Sequence, residues 1–182
     1  DDDIRAGPEL APVDDSMFAR LGKAARKKGF ANHHIFTAKD LDEAIKRRDP
    51  LGLKPPATSL SPLSDEEFQH RASQTTLVLF TISERDQQAG RPARLGTAFM
   101  VHKNVAATCF HAVKGLGEPF GAVALTAEGK TVRVRKILAI YPQEDLAFLE
   151  VEGAGDRALP LRSDAPAGTR VRALGHPLNK YY

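Results

Sequence analysis

Tryptophan is missing from this sequence altogether, methionine occurs twice, tyrosine three times and cysteine once. A single cysteine, Cys109, closes no internal disulfide, which excludes the disulfide-stapled architecture of small secreted proteins and suits a reducing compartment. A cytoplasmic location is the expectation that follows. Long apolar runs are lacking as well: no stretch approaches the roughly 18 consecutive apolar residues that a membrane-spanning helix requires, and no membrane is expected as a partner. Cysteine and histidine pairs at zinc-binding spacing are absent, as is a basic strand interleaved with aromatics on which nucleic-acid bases could stack. The formal net charge of +3 over 182 residues is ordinary, so nucleic acid is not expected as a partner; no metal or cofactor is expected either. The opening Asp1-Asp2-Asp3 has neither an initiator methionine nor the basic and apolar character of a signal peptide, and reads as a chain entered after its true start.

What is there is the composition of a globular domain, 42% hydrophobic and 27% charged, on a length that accommodates one domain and an appendage. Residues 1–73 form that appendage. A first helix, capped by Asp15 or Ser16, carries Met17, Phe18, Leu21 and Ala25 on one face and Arg20, Lys23, Arg26, Lys27 and Lys28 on the other. Most such basic faces are merely solvated; docking of a regulatory protein is the functional alternative. A second helix is predicted over Ala38 to Arg48, capped by Thr37, with acids in its first turns and bases in its last, as the helix dipole favours. Pro50, Pro55, Pro56 and Pro62, with Gly52 and serines between them, read as a linker. The boundary falls near Gln69 to Ser73.

From residue 74 to 182 the pattern changes to short strand-like runs separated by turn signals: Thr75 to Ile82, Arg94 to Val101, Val105 to Thr108, Ala122 to Thr126, Thr131 to Ile140, Leu146 to Val151 and Arg170 to Leu174. The connections are too short for crossover helices, so an antiparallel arrangement with hairpin connections is the economical reading. An all-β, six-stranded antiparallel Greek-key barrel is the predicted fold.

Three segments carry chemistry. The first is Gly96-Thr97-Ala98-Phe99, followed by Thr108-Cys109-Phe110-His111-Ala112-Val113, in which a strand delivers His111 at its end. The second is Asp145-Leu146-Ala147-Phe148-Leu149, an acid set directly before an apolar strand. The third is Gly175-His176-Pro177, a turn. In this order they resemble the trypsin/chymotrypsin clan of serine proteases, and within it the disulfide-free, HtrA-like branch, over about Thr75 to Leu178. The resemblance implies that the chain is the N-terminal barrel of a serine endopeptidase, with His111 as general base and Asp145 as the carboxylate that orients it. It also implies a polypeptide substrate.

That chemistry needs these residue types because a serine hydroxyl is a weak nucleophile at neutral pH. An imidazole must take its proton and return it to the leaving amine, while a carboxylate holds the other ring nitrogen. No Gly-Asp-Ser-Gly-Gly-like segment occurs, so the serine is expected from a second barrel carried by a C-terminal half beyond Tyr182, and this chain alone is expected to be inactive. The alternative is a catalytically inactive, protease-like module acting in binding or regulation. Cys109, two residues before His111, is assigned to packing in the barrel wall, the rival being a Cys-His nucleophilic pair. Taken alone, Asp145 could be a turn residue and His111 a hydrogen-bonded structural one. His33, His34 and His176 are expected to be solvated.

Overall fold

The computed structural model describes residues 33–47, 52, 63–91, 93–114, 119–155, 158, 166–169 and 174–175. Its elements are β1 (Ile35–Phe36), α1 (Ala38–Lys46), α2 (Asp65–Thr75), β2 (Thr76–Ser83), α3 (Glu84–Gln88), β3 (Arg94–His102), β4 (Val105–Cys109), α4 (His111–Lys114), β5 (Phe120–Leu125), β6 (Thr131–Tyr141) and β7 (Leu146–Glu152). Six strands pair in the cyclic order β5-β2-β3-β4-β7-β6, and β6 pairs back onto β5, so the sheet closes into an antiparallel barrel. Closure depends on β6, an 11-residue strand whose first three residues pair with β5 while the rest runs along β7. Two register shifts in β6, at Val134/Lys136 and Ile137/Ala139, supply the extra residues that bend it.

Alternation along the strands sets the interior. Val132, Val134, Ala147, Leu149 and Val151 point inward, while Arg133, Arg135 and Glu150 point out. Leu77, Leu79, Met100, Leu149 and Ile140 meet in the middle with the small residues Ala98, Ala106, Ala122 and Ala124. β2 is buried along its whole length, and its other face forms a second cluster with β5: Val78, Phe80, Ile82, Val123 and Leu125.

Two features differ from the sequence-based expectation. Residues 33–47, read from sequence as appendage, pack into the barrel: β1 extends the sheet at β5 through Ile35↔Gly121 and Phe36↔Phe120. Phe36 and Ala44 are buried members of the main core, and Arg47 Nη1 donates to the Leu138 carbonyl of β6 at 2.6 Å. The physical reason is the spacing of Phe36, Leu41, Ala44 and Ile45, which puts one apolar stripe on the end of the barrel. The second is that a helix, α2, occupies the predicted boundary. Ser64 and Glu67 close a reciprocal capping box at its start, and its last turn runs straight into β2. The basic helix around Met17 to Ala25, the prolines at 50, 55, 56 and 62, and all but Leu174 of the strand expected over Arg170 to Leu174 lie outside the described residues. Among the described residues no helix is long and apolar enough to cross a membrane.

The predicted cap of α1 is present: the Thr37 hydroxyl accepts from the Asp40 N–H, and the Asp40 carboxylate accepts from the Thr37 N–H at 2.7 Å. The Thr37 hydroxyl and N–H hold the Asp40 carboxyl below the usual carboxylate range. A depressed pKa contributes stability that is complete above the unfolded value and is lost as pH falls through the folded one. The docking of α1 should therefore weaken in acid, below about pH 4. Denaturant unfolding across that range should show a steeper acid loss for the parent than for Asp40→Asn, and Thr37→Ala should cost about 1 kcal/mol at neutral pH.

Candidate active site

β4 ends at Cys109, and the chain turns through Phe110 into α4, a single helical turn closed by Val113 and Lys114 N–H groups on the Phe110 carbonyl at 3.0 and 2.8 Å. Phe110 and Val113 are buried and pin this turn to the core, while His111 between them is left exposed. The buried Thr81 hydroxyl donates to the Ala112 carbonyl at 3.2 Å and anchors the turn from β2. His111 thus opens a short helix rather than ending a strand, as the sequence had suggested.

Asp145 is the last residue of the turn between β6 and β7, with φ at 51°, a left-handed conformation that aspartate tolerates better than most residues. In this turn the residue's backbone bears on Phe110 and its side chain on His111. Its carbonyl accepts from the Phe110 N–H at 2.9 Å, its Oδ1 from the His111 N–H at 2.8 Å, and its Oδ2 lies 2.6 Å from His111 Nδ1. The turn reading and the orienting reading of Asp145 are therefore compatible: one residue does both. Alongside, β4 and β7 pair through Cys109↔Leu146, which fixes the spacing of the two segments. The hydrogen bonds from the His111 ring and backbone hold the Asp145 carboxyl below its usual range. Its charged form, and with it the pairing, persists as pH falls until that depressed value is crossed.

A cleft of about 500 Å³ opens beside His111. Gly96 of the first segment and Gly175 of the third line it together with His111, so three separated stretches of sequence converge on one cavity. Leu79, Leu95 and Ala112 give it an apolar floor, and Arg94 and Thr97 add polar groups. A methyl group at Gly96 would reach Ala112 Cβ at 3.5 Å, ordinary van der Waals contact. The glycine is thus not demanded by a close backbone approach, and a longer side chain there would fill the cleft.

Cys109 is exposed rather than packed in the barrel wall. β4 is buried from Val105 to Thr108, and its last residue, Cys109, is the exposed one, beside the Asp145 turn. Partial desolvation of its sulfur, with the neighbouring Asp145 charge, pushes its thiol above the usual range. That disfavours the thiolate a Cys-His nucleophilic pair would need. His34 lies on the exposed surface with its ring edge-on to Phe36, 4.8 Å between centroids; His176 lies outside the described residues.

The described strands thus close into an antiparallel barrel with His111 and Asp145 paired at its rim and a cleft beside the histidine. Residues 96–182 match the family model of the trypsin-like peptidase domain, a stretch that starts at the cleft glycine and includes both His111 and Asp145. The barrel fits the N-terminal barrel of a trypsin-like protease, and the match supports a protease-type hydrolytic function. No curated protein matches the chain.

Proposed function

We propose that this chain supplies the base-bearing half of a serine endopeptidase, with His111 as general base and Asp145 as the group that orients it. The observation that carries the reading is the 2.6 Å contact between His111 Nδ1 and Asp145 Oδ2. With Nδ1–H donated to the carboxylate, Nε2 is the nitrogen left to accept a proton from a hydroxyl and to return it to the amine leaving group. Asp145 then stabilises the imidazolium while it lasts. The cleft receives the polypeptide segment next to the scissile bond.

The nucleophile and the oxyanion-binding donors come, in this proposal, from a second barrel in the C-terminal half. The outer face of β3, β4 and β7 suits such a partner: Phe99 is 38% exposed there, next to the cluster of Val101, Val105 and Ala107 with the half-buried Leu138, Leu146 and Phe148. Covering it would remove apolar surface from water at roughly 25 cal/mol per Å².

The test is labelling by a serine-directed fluorophosphonate. The 182-residue chain alone should remain unlabelled and should not cleave peptides. Chain extended by the C-terminal half should be labelled on a serine beyond Tyr182 and should hydrolyse peptides. Labelling of the isolated chain, or an extended protein that binds peptides without cleaving them, would overturn the proposal; the second result would make the barrel a binding module.

A further inference from the structure

The thiol of Cys109, a ring nitrogen of His111 and a carboxylate oxygen of Asp145 all lie within 4.8 Å of one another on the rim of the barrel. We propose that these three residues form a binding site for a soft divalent cation, zinc above all, and that the bound cation switches the catalytic pair off. The regulatory part of this inference rests on the protease reading; the binding part does not.

The donor set decides the metal. A thiolate and an imidazole select zinc and its softer neighbours over magnesium or calcium, which take oxygen ligands. Zinc bonds of about 2.3 Å to sulfur and 2.0 to 2.2 Å to nitrogen and oxygen give a tetrahedron whose edges are about 3.4 to 3.6 Å. The present separations bracket that range. The His111–Asp145 contact at 2.6 Å must open by a little under 1 Å, and the widest pair must close by a little over 1 Å. Both are side-chain adjustments.

The backbone under the three groups is already held. Cys109 sits on β4 in register with Leu146, Phe110 N–H is bonded to the Asp145 carbonyl, and His111 N–H is bonded to Asp145 Oδ1. Oδ1 can keep that bond while Oδ2 turns to a metal. Three protein ligands leave a fourth position for water, on the solvent side.

The inhibitory consequence follows from the atoms used. On binding, the Cys109 S–H bond breaks and a sulfur–metal bond forms, with the proton passing to solvent. If Nδ1 is the ligand, the ring changes tautomer: the proton leaves Nδ1, one is taken up from solvent at Nε2, and the metal takes the place of the Nδ1–H···Oδ2 hydrogen bond. Nε2 then already carries a proton and has no lone pair with which to accept one from a hydroxyl. No oxidation or reduction is involved.

The site is read directly by titrating the 182-residue chain with zinc in a calorimeter and with cobalt(II) as a spectroscopic substitute. The expected result is one zinc per chain, and a cobalt complex with thiolate charge-transfer absorption and the strong visible bands of tetrahedral geometry. Cys109→Ser should abolish the charge-transfer absorption and weaken zinc binding by at least tenfold to a hundredfold, roughly the cost of losing even an outer-shell partner. Circular dichroism establishes that the variant is folded, and replacing His33 and His34 should leave zinc binding unchanged. Octahedral cobalt without a thiolate band, or parental zinc affinity in Cys109→Ser, would overturn the site. In the extended, serine-bearing protein, zinc should inhibit the parent reversibly, with recovery on chelation, and should inhibit Cys109→Ser far less. Zinc bound without inhibition would overturn the regulatory part. An extended protein inactive even in chelator would sink the protease reading while leaving the cobalt result to decide the site.

Discussion

Replacing His111 with alanine in the extended, serine-bearing protein should lower turnover by about a millionfold, as loss of the base does where a triad acts as a unit. Asp145→Asn should lower it by roughly ten-thousandfold. The asparagine is the informative change at that position because it tolerates the left-handed backbone at φ 51° and can still accept the His111 N–H through its oxygen. What it loses is the charge and the second acceptor, so it leaves the turn standing and presents an amide to Nδ1. Neither substitution should unfold the barrel, since both side chains are solvent-accessible, 74% for His111 and 47% for Asp145. Peptide turnover and melting temperature measured on the same samples separate chemistry from stability. Activity within about tenfold of the parent would leave His111 without the role proposed for it.

The second large effect is on stability and concerns Phe36. It is 1% exposed, lies 5.4 Å from the Phe120 ring and belongs to the main core of the barrel. Phe36→Ala should cost about 3 to 5 kcal/mol through lost burial and the cavity left behind. For a domain of this size that corresponds to a fall of roughly 10 to 20 °C in melting temperature. Deleting residues 1–60, which removes β1 and α1 together, should do at least as much. A deletion confined to residues 1–32 is the variant that tests the proposed docking helix, because it spares both elements. A melting temperature within about 2 °C of the parent for Phe36→Ala would show that β1 is dispensable.

The strands were legible because their signal is local. Alternation such as Thr131-Val132-Arg133-Val134-Arg135 has a period of two that only a half-buried strand satisfies, and the observed β6 runs over Thr131–Tyr141. The cap at Thr37 was equally readable, since a hydroxyl followed three residues later by Asp40 is a short-range device. Ser64 with Glu67 is the same kind of short-range device at the start of α2, in a stretch read as linker from its prolines alone. The docking of β1 could not be read this way. Phe36 meets Phe120 across more than eighty positions of sequence, and nothing in a two-residue strand announces a partner. Cys109 was misplaced for a related reason: its exposure is set by where β4 stops and Phe110 turns inward, a boundary that alternation alone does not locate. The pairing of His111 with Asp145 came from the resemblance of their surroundings to a known family. The positive φ of Asp145 had no separate signature.

The clasp between Phe110, His111 and Asp145 also bears on how such a centre responds to a substrate. Three hydrogen bonds, two of them from backbone N–H groups, fix Asp145 against Phe110 and His111. The rotational freedom of the imidazole is therefore given up when the barrel folds, not when a peptide arrives. In the proposed endopeptidase, binding energy from the peptide would not be diverted to aligning the two side chains and would remain available for positioning the scissile carbonyl.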